Sequence, residues 1–361
     1  MKRFLRLLLS IFLLLSSGVY AANNDSTKRS HSIIIPATFR SPETGWALGA
    51  AASISFRTSE LDDSLTRVSS IQAIGFYTTK GQNVQAIDGT VYFPKERFIY
   101  YNQIAHSYFP DKFWGMGPYA PDRNVEPYTF EQFYFFPRLS RKIRKNLFAG
   151  LLYEYQNVFK IDHVKGGTFD TSSFYGKNKY YVSGFGFSTT YDSRNISFAP
   201  TKGFLIESLL DDFNKAIGSQ YNFVKWTLDI RSFYNLIGKT VIAAQLYNYS
   251  TFGKTPLRDQ ATLGGAGNMR GIYDGRFRDN NATSLIVEYR VPLFWRFSMC
   301  TFGDIGNVYN KPKDLRSPMK YSFGEGLRVA LLKKDKLNLR IDYGYYTKKN
   351  QGFYLNVGEC F

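Results

Sequence analysis

His31, His106 and His163 are the only histidines in this 361-residue chain, so acid–base chemistry near neutral pH has few places to start. Ser107 follows His106 in AHSYF. Neighbours on a strand point to opposite faces, which defeats a Ser–His pair. Asp111, Asp122 and Glu126 read as solvated loop tips rather than an acid pair or metal ligands. The run DDFNKAIG, Asp211 to Gly218, lacks Ca²⁺-loop spacing. Cys300 and Cys360 are the only cysteines and match no metal spacing. The strands that would carry them lie three apart at ~4.8 Å each, beyond disulfide reach. No enzyme activity, no cofactor and no metal are expected.

The remaining chemistry is ionic. GGAGNMRGIYDGRFRDN, Gly264 to Asn280, holds five glycines and the arginines Arg270, Arg276 and Arg278. No conventional core packs such a segment, and a cleanly alternating strand follows it at once. From Thr283 to Val291, Leu285, Val287, Tyr289 and Val291 fall on one side, with Ser284, Glu288 and Arg290 on the other. Leu337 to Tyr345 repeats the pattern. Its odd positions are Leu, Leu, Ile, Tyr and Tyr, and its even positions are Asn338, Arg340, Asp342 and Gly344.

Sixteen such segments can be placed, at about 31–38, 46–57, 68–79, 82–93, 96–108, 127–140, 145–159, 180–192, 203–214, 219–234, 238–251, 283–292, 296–304, 320–330, 337–346 and 352–361. Mostly short connections (FPKER, RLSRKIRKN, NLIGK, VPLFWR, LKKDK) alternate with long ones at 109–126, 160–179, 252–282 and 305–319. That asymmetry is expected of an outer-membrane barrel. Closure removes the strand edges that lipid could not satisfy. The expected fold is therefore all-β: a 16-stranded antiparallel transmembrane β-barrel with a long sixth extracellular loop.

Composition agrees. Thirty-two Phe, 27 Tyr and 4 Trp are many for a chain only 44% hydrophobic, and they suit aromatic girdles around an alternating wall. The start reads as a signal peptide over 1–21: Lys2, Arg3 and Arg6, an apolar run from Leu7 to Leu15, and Val19-Tyr20-Ala21 before the cut. A short periplasmic segment, 22–32, would precede a barrel over 33–361. The formal charge of +17 favours anionic lipid headgroups, lipopolysaccharide included. Nucleic acid is excluded as a partner because the basic residues are dispersed and the chain is exported.

The sixth loop resembles that of the BamA/TamA superfamily, also called the bacterial surface antigen family. The matching run is Met269-Arg270-Gly271-Ile272-Tyr273, with Ile272 at the usual aromatic position. Gly184 to Phe204, Glu288 in EYRVP, Phe302-Gly303-Asp304-Ile305-Gly306, Gly326-Leu327-Arg328, Arg340-x-Asp342-x-Gly344 and terminal Phe361 follow in family order. The likeness is clear over 184–361 and weak over 33–183. It implies a sixth loop folded into the lumen. Arg270, backed by Gly271, would pair there with Glu288, Asp304 or both, while Gly264, Gly265 and Gly267 act as hinges. Arg290, Arg328, Arg340 and Asp342 would be polar lumen residues. The alternative is a solvated loop whose arginines face lipopolysaccharide.

In GFYLNVGECF, Phe353, Leu355, Val357 and Phe361 share the outward face, so Phe361 reads as a C-terminal signal for the barrel-assembly machinery. Glu359 interrupts that face, at headgroup level or as a weak point in the seam between the last and first strands. The resemblance implies an outer-membrane factor that inserts or translocates unfolded outer-membrane proteins. The alternative is a passive pore or structural surface barrel. It gains weight because segment 22–32 leaves no room for the periplasmic domains of well-known insertases.

Overall fold

The computed structural model describes residues 30–60, 66–196, 199–316, 318–332, 337–348 and 350–361. The expected signal peptide and residues 22–29 lie outside the described residues. Within them the chain forms β1 (Ser30–Ser41), β2 (Gly45–Phe56), β3 (Ser69–Thr78), β4 (Asn83–Tyr92), β5 (Phe98–Phe113), β6 (Glu126–Arg144), β7 (Leu147–His163) and β8 (Tyr180–Asp192). Then follow β9 (Gly203–Phe213), β10 (Phe223–Asn235), β11 (Val241–Gly253), β12 (Asn281–Pro292), β13 (Phe297–Tyr309), β14 (Lys320–Leu332), β15 (Leu337–Thr347) and β16 (Asn350–Val357). Each pairs antiparallel with its neighbour, and β16 returns to β1 to close a sixteen-stranded barrel.

The period-two pattern becomes two surfaces. On β12, Leu285, Val287 and Tyr289 are 40%, 41% and 43% exposed, whereas Ser284, Ile286 and Glu288 are buried. The same holds on β14, where Tyr321, Phe323 and Leu327 face out and Ser322 and Arg328 are buried. A wall this apolar outside and this charged inside suits hydrocarbon around it and polar matter within.

The strands β5, β6 and β7 run further than their alternation predicts, which shortens the connections around them. Their far ends turn aromatic residues into the bore. Phe113, Tyr128, Phe130, Phe169, Tyr180, Phe213, Phe223 and Leu257 form one buried cluster there. Phe213 and Phe223, opposite each other on β9 and β10, stack with centroids 4.3 Å apart. This core holds the upper wall together from the inside, where alternation along one strand cannot reveal a partner from another.

Closure is uneven. Strands β1 and β2 pair along their whole length, from Ser30 opposite Phe56 to Ser41 opposite Gly45. Among the described residues the register between β1 and β16 has a single position, Arg40 opposite Leu355.

Candidate functional site

The long segment between β11 and β12 is built on a small ribbon, Ala261–Leu263 paired with Phe277–Asp279. Its apolar side buries Ala261, Leu263, Met269, Ile272 and Phe277 against Ala282 and Val308 of the barrel wall. Gly264 and Gly265 take φ of +117° and +98°, conformations that favour glycine, so they bend the chain into the tip. Gly267 does not have a positive φ, and a side chain there would meet nothing within 4 Å. It is therefore not a required hinge.

The tip presses Arg270 into the wall. Arg270, Glu288 and Asp342 have fully buried side chains. Arg270 Nη2 stands 2.6 Å from Glu288 Oε1, and Arg270 Nη1 donates to Asp342 Oδ2 at 2.8 Å. The guanidinium also lies over the Phe302 ring, 3.4 Å from its centroid. Gly271 N donates to the Tyr354 hydroxyl of β16 at 2.9 Å. A planar cation with two free edges suits this place, because it meets two carboxylates from two strands at once.

The charges continue into a closed ring. Glu288 Oε2 accepts from Arg290 Nη2 at 2.6 Å, and Arg290 Nε is 3.9 Å from Glu359 Oε2. Glu359 accepts from Arg328 Nε at 3.0 Å, and Arg328 Nη1 donates to Asp342 Oδ1 at 2.5 Å. Three arginines and three carboxylates thus alternate, and the set is neutral. It joins the loop (Arg270), β12, β14, β15 and the C-terminal tail. Arg340 stands beside it, 3.5 Å from Asp342 and donating to the Ala266 carbonyl at 3.2 Å. Burial of bare charge is costly, and alternation with short contacts is what makes such a cluster tolerable.

Asp304 has the inward placement expected on β13 and lies within the field and backbone reach of Arg270, but its side-chain hydrogen bond comes from Ser322 at 3.2 Å, and Asp342 takes the second arm of the guanidinium. The missed signal was available: Asp342 lies on the polar face of its own strand. Its depth relative to the loop tip was not readable.

Five residues weighed as solvated, Arg276, Arg278, Asp111, Asp122 and Glu126, have partners in the fold. Arg276 is buried and donates to Asp122 Oδ1, at 3.0 Å from Nε and 2.6 Å from Nη2. Arg278 is buried and donates to the Leu257 carbonyl at 2.5 Å. Asp111 accepts from the hydroxyls of Tyr273 and Tyr128, at 3.1 and 2.9 Å. Asp111 and Asp122 are thus partners of the sixth loop rather than free tips. Glu126 caps the short helix Thr168–Thr171, accepting from Thr168 N at 2.7 Å and from Phe169 N at 2.5 Å. Asp211 is buried beside the Lys225–Glu154 ion pair on the opposite inner wall.

The C-terminal strand also ends differently. β16 stops at Val357, and Gly358 (φ +95°) turns the last residues inward. Phe361 is therefore not on the outward face. It is buried with Phe233, Ala243 and Ile286, and Arg290 lies 5.4 Å from its ring centroid. Glu359 is likewise inside. Cys360 Sγ donates to the Ala266 carbonyl of the sixth loop at 3.5 Å. Cys300 and Cys360 are both free thiols. His106 is half-exposed, 3.1 Å from Glu131, and His163 stacks on Phe169 and stands 3.5 Å from Asp170. The side chain of His31 lies outside the described residues. Among the described residues no group of three or more His, Cys, Asp and Glu could hold a metal ion.

A closed barrel with an apolar outer wall and a charged interior is the build of a transmembrane β-barrel protein. The model of the Omp85 superfamily domain matches residues 43–361, and the chain belongs to that superfamily. Among solved structures it is similar to BamA from Haemophilus ducreyi lacking POTRA domains 1–3, with a TM-score of 0.61 and 15% identity over 98% of this chain and 78% of that one. It is also similar to CdiB from Escherichia coli (TM-score 0.59, 12% identity, 91% of this chain) and CdiB from Acinetobacter baumannii (0.55, 13%, 92%). The chain spans 62% and 60% of those two. No curated protein matches in sequence.

Proposed function

We propose that the chain is an outer-membrane factor that assists insertion or translocation of other outer-membrane proteins, with unfolded clients and the barrel-assembly machinery as partners. The observation that carries this reading is the seam. An edge held at one register position, Arg40 opposite Leu355, exposes strand N–H and C=O groups when it parts, and a client strand can pair with them. No cofactor is needed, because the free energy comes from the client's own strand pairing and burial.

In this reading the sixth loop occupies the lumen and Arg270 fastens it there. The wall can then part on one side while the rest keeps its shape. A bore holding that loop and the C-terminal tail does not favour an open passive pore. Depletion followed by proteomics of the outer membrane tests the proposal: other barrels should fall in abundance. Unaltered barrel levels together with steady single-channel conductance of the purified protein would replace it with the pore.

A further inference from the structure

Two adjoining cavities open where the far end of the wall meets the loops, away from the Arg270 cluster. One is about 340 Å³ and the other about 400 Å³. Both fall in the range of small-molecule sites, roughly 300–1,000 Å³. Gly253, Asn280 and Asn310 line both. Asn280 Nδ2 donates to Asn310 Oδ1 at 2.9 Å, so the two hollows form one groove across an amide bridge.

The first cavity is rich in unused acceptors. Thr255 and Gln260 are only 2% and 7% exposed, and Thr255 Oγ1 and Gln260 Oε1 have no hydrogen-bond partner among the described residues. Asp279 is 8% exposed, and burial pushes its carboxyl above the usual carboxylate range. It accepts from Asn280 N at 2.8 Å and forms no ion pair among the described residues. Buried acceptors without donors are a standing penalty, relieved by a ligand that brings O–H groups. Phe174 and Tyr175 add flat apolar walls.

The second cavity runs over the rim. Asn248 and Ser250 share the outward side of β11 with the exposed Leu246 and Phe252, and Trp226 lies beside them. Amides and hydroxyls on that side belong at headgroup depth, not in hydrocarbon. Among the described residues no Lys or Arg lines either cavity, in a chain that has 46 of them. A phosphate or carboxylate would find no counter-charge there.

We propose that this groove binds a neutral saccharide chain. Its hydroxyls donate to Thr255, Gln260 and Asp279 in the first cavity. The chain then crosses the Asn280–Asn310 bridge and lies along Trp226 at the rim. The inference rests on the outer-membrane reading, which puts this end of the barrel among the sugars of lipopolysaccharide. The same chemistry fits a free oligosaccharide.

The test titrates the purified full chain in detergent with three probes. They are smooth lipopolysaccharide, the same lipid stripped of its sugars, and the free saccharide released from it. Tryptophan fluorescence reads binding, with Trp226→Phe as the reporter control. Saccharide-bearing probes should bind, and Asp279→Asn and Gln260→Leu should weaken them about tenfold each. Phe174→Ala serves if either variant loses its folded gel migration. Binding of lipopolysaccharide alone assigns a lipid-linked chain, and binding of the free saccharide assigns a soluble one. Equal binding of the sugar-free lipid, no binding at all, or full affinity in the variants overturns the proposal. Outer-membrane protein levels are scored in the same variants, so failure here and failure of the assembly role are told apart.

Discussion

Gly271 of the sixth loop and Gly344 of β15 meet backbone to backbone. A Cβ on Gly344 would lie 2.6 Å from Gly271 N, and one on Gly271 would lie 2.8 Å from the carbonyl carbon of Gly344. Neither contact leaves room for a methyl group, and Gly271 has φ of +98° besides. Gly344→Ala should therefore push the loop tip off the wall. Overpacking of this kind costs about 1–3 kcal/mol. Heat-modifiable gel migration should be lost at a lower temperature, and an unshifted transition would show that the tip is not seated there.

Arg270→Ala should destabilise more. It removes the cation that two buried carboxylates share, and the cost of such a loss is about 3–5 kcal/mol when the partners are desolvated. Glu288 keeps Arg290 and Asp342 keeps Arg328, so the lower end of that range is expected. Arg270→Lys should rescue little, since one ammonium cannot address both strands. Urea unfolding of the purified barrel measures both variants. Wild-type midpoints would remove the lock.

Phe361 gives a third measurement. An outward terminal aromatic would matter to recognition and leave the folded barrel's stability alone. The inward Phe361 packs on Phe233, Ala243 and Ile286, so Phe361→Ala should destabilise protein already folded by about 3 kcal/mol, read as a lower urea midpoint. Equal midpoints would put the ring back on the outer face.

Asp259 predicts a pH dependence. It is buried in the sixth loop, and burial first, then the Glu154 carboxylate, push its pKa up to about 7. The folded state thus binds a proton that the unfolded state has already released. Stability from this group is present at low pH and falls as pH rises from about 4 to about 7. Asp259→Asn should flatten that fall in a series of urea midpoints; a slope identical to the parent's would contradict the assignment.

The seam can be stapled. Arg40→Cys with Leu355→Cys places two thiols at the one register position between β1 and β16, where directly opposed Cβ atoms come within disulfide reach. Oxidation should stop assembly of other barrels, and reduction should restore it. Full activity of the cross-linked form would rule out lateral opening.

Much of this was legible in the residues. Alternation along β12 and β15 put Glu288 and Asp342 on the polar side, because side-chain direction in a strand has period two whatever surrounds it. The glycine-rich run around Arg270 marked the segment whose Arg270 stands against Glu288 and Asp342. The sixteen segments and their uneven connections fixed a closed barrel, since lipid tolerates no free strand edge.

Tertiary structure decided which charges meet. Whether Arg270 would meet Asp304 or Asp342 depends on the depth to which the ribbon at Ala261–Leu263 delivers the tip, and that depth is set by packing against Ala282 and Val308. The sixth-loop partners of Asp111 and Asp122, Tyr273 and Arg276, lie more than 150 residues away in sequence. The turn at Gly358 sent Phe361 inward, where strand parity alone pointed out. Parity is a local property of the backbone, but a ring of charges drawn from a loop, three strands and a tail exists only once the cylinder has closed and brought distant inner faces together.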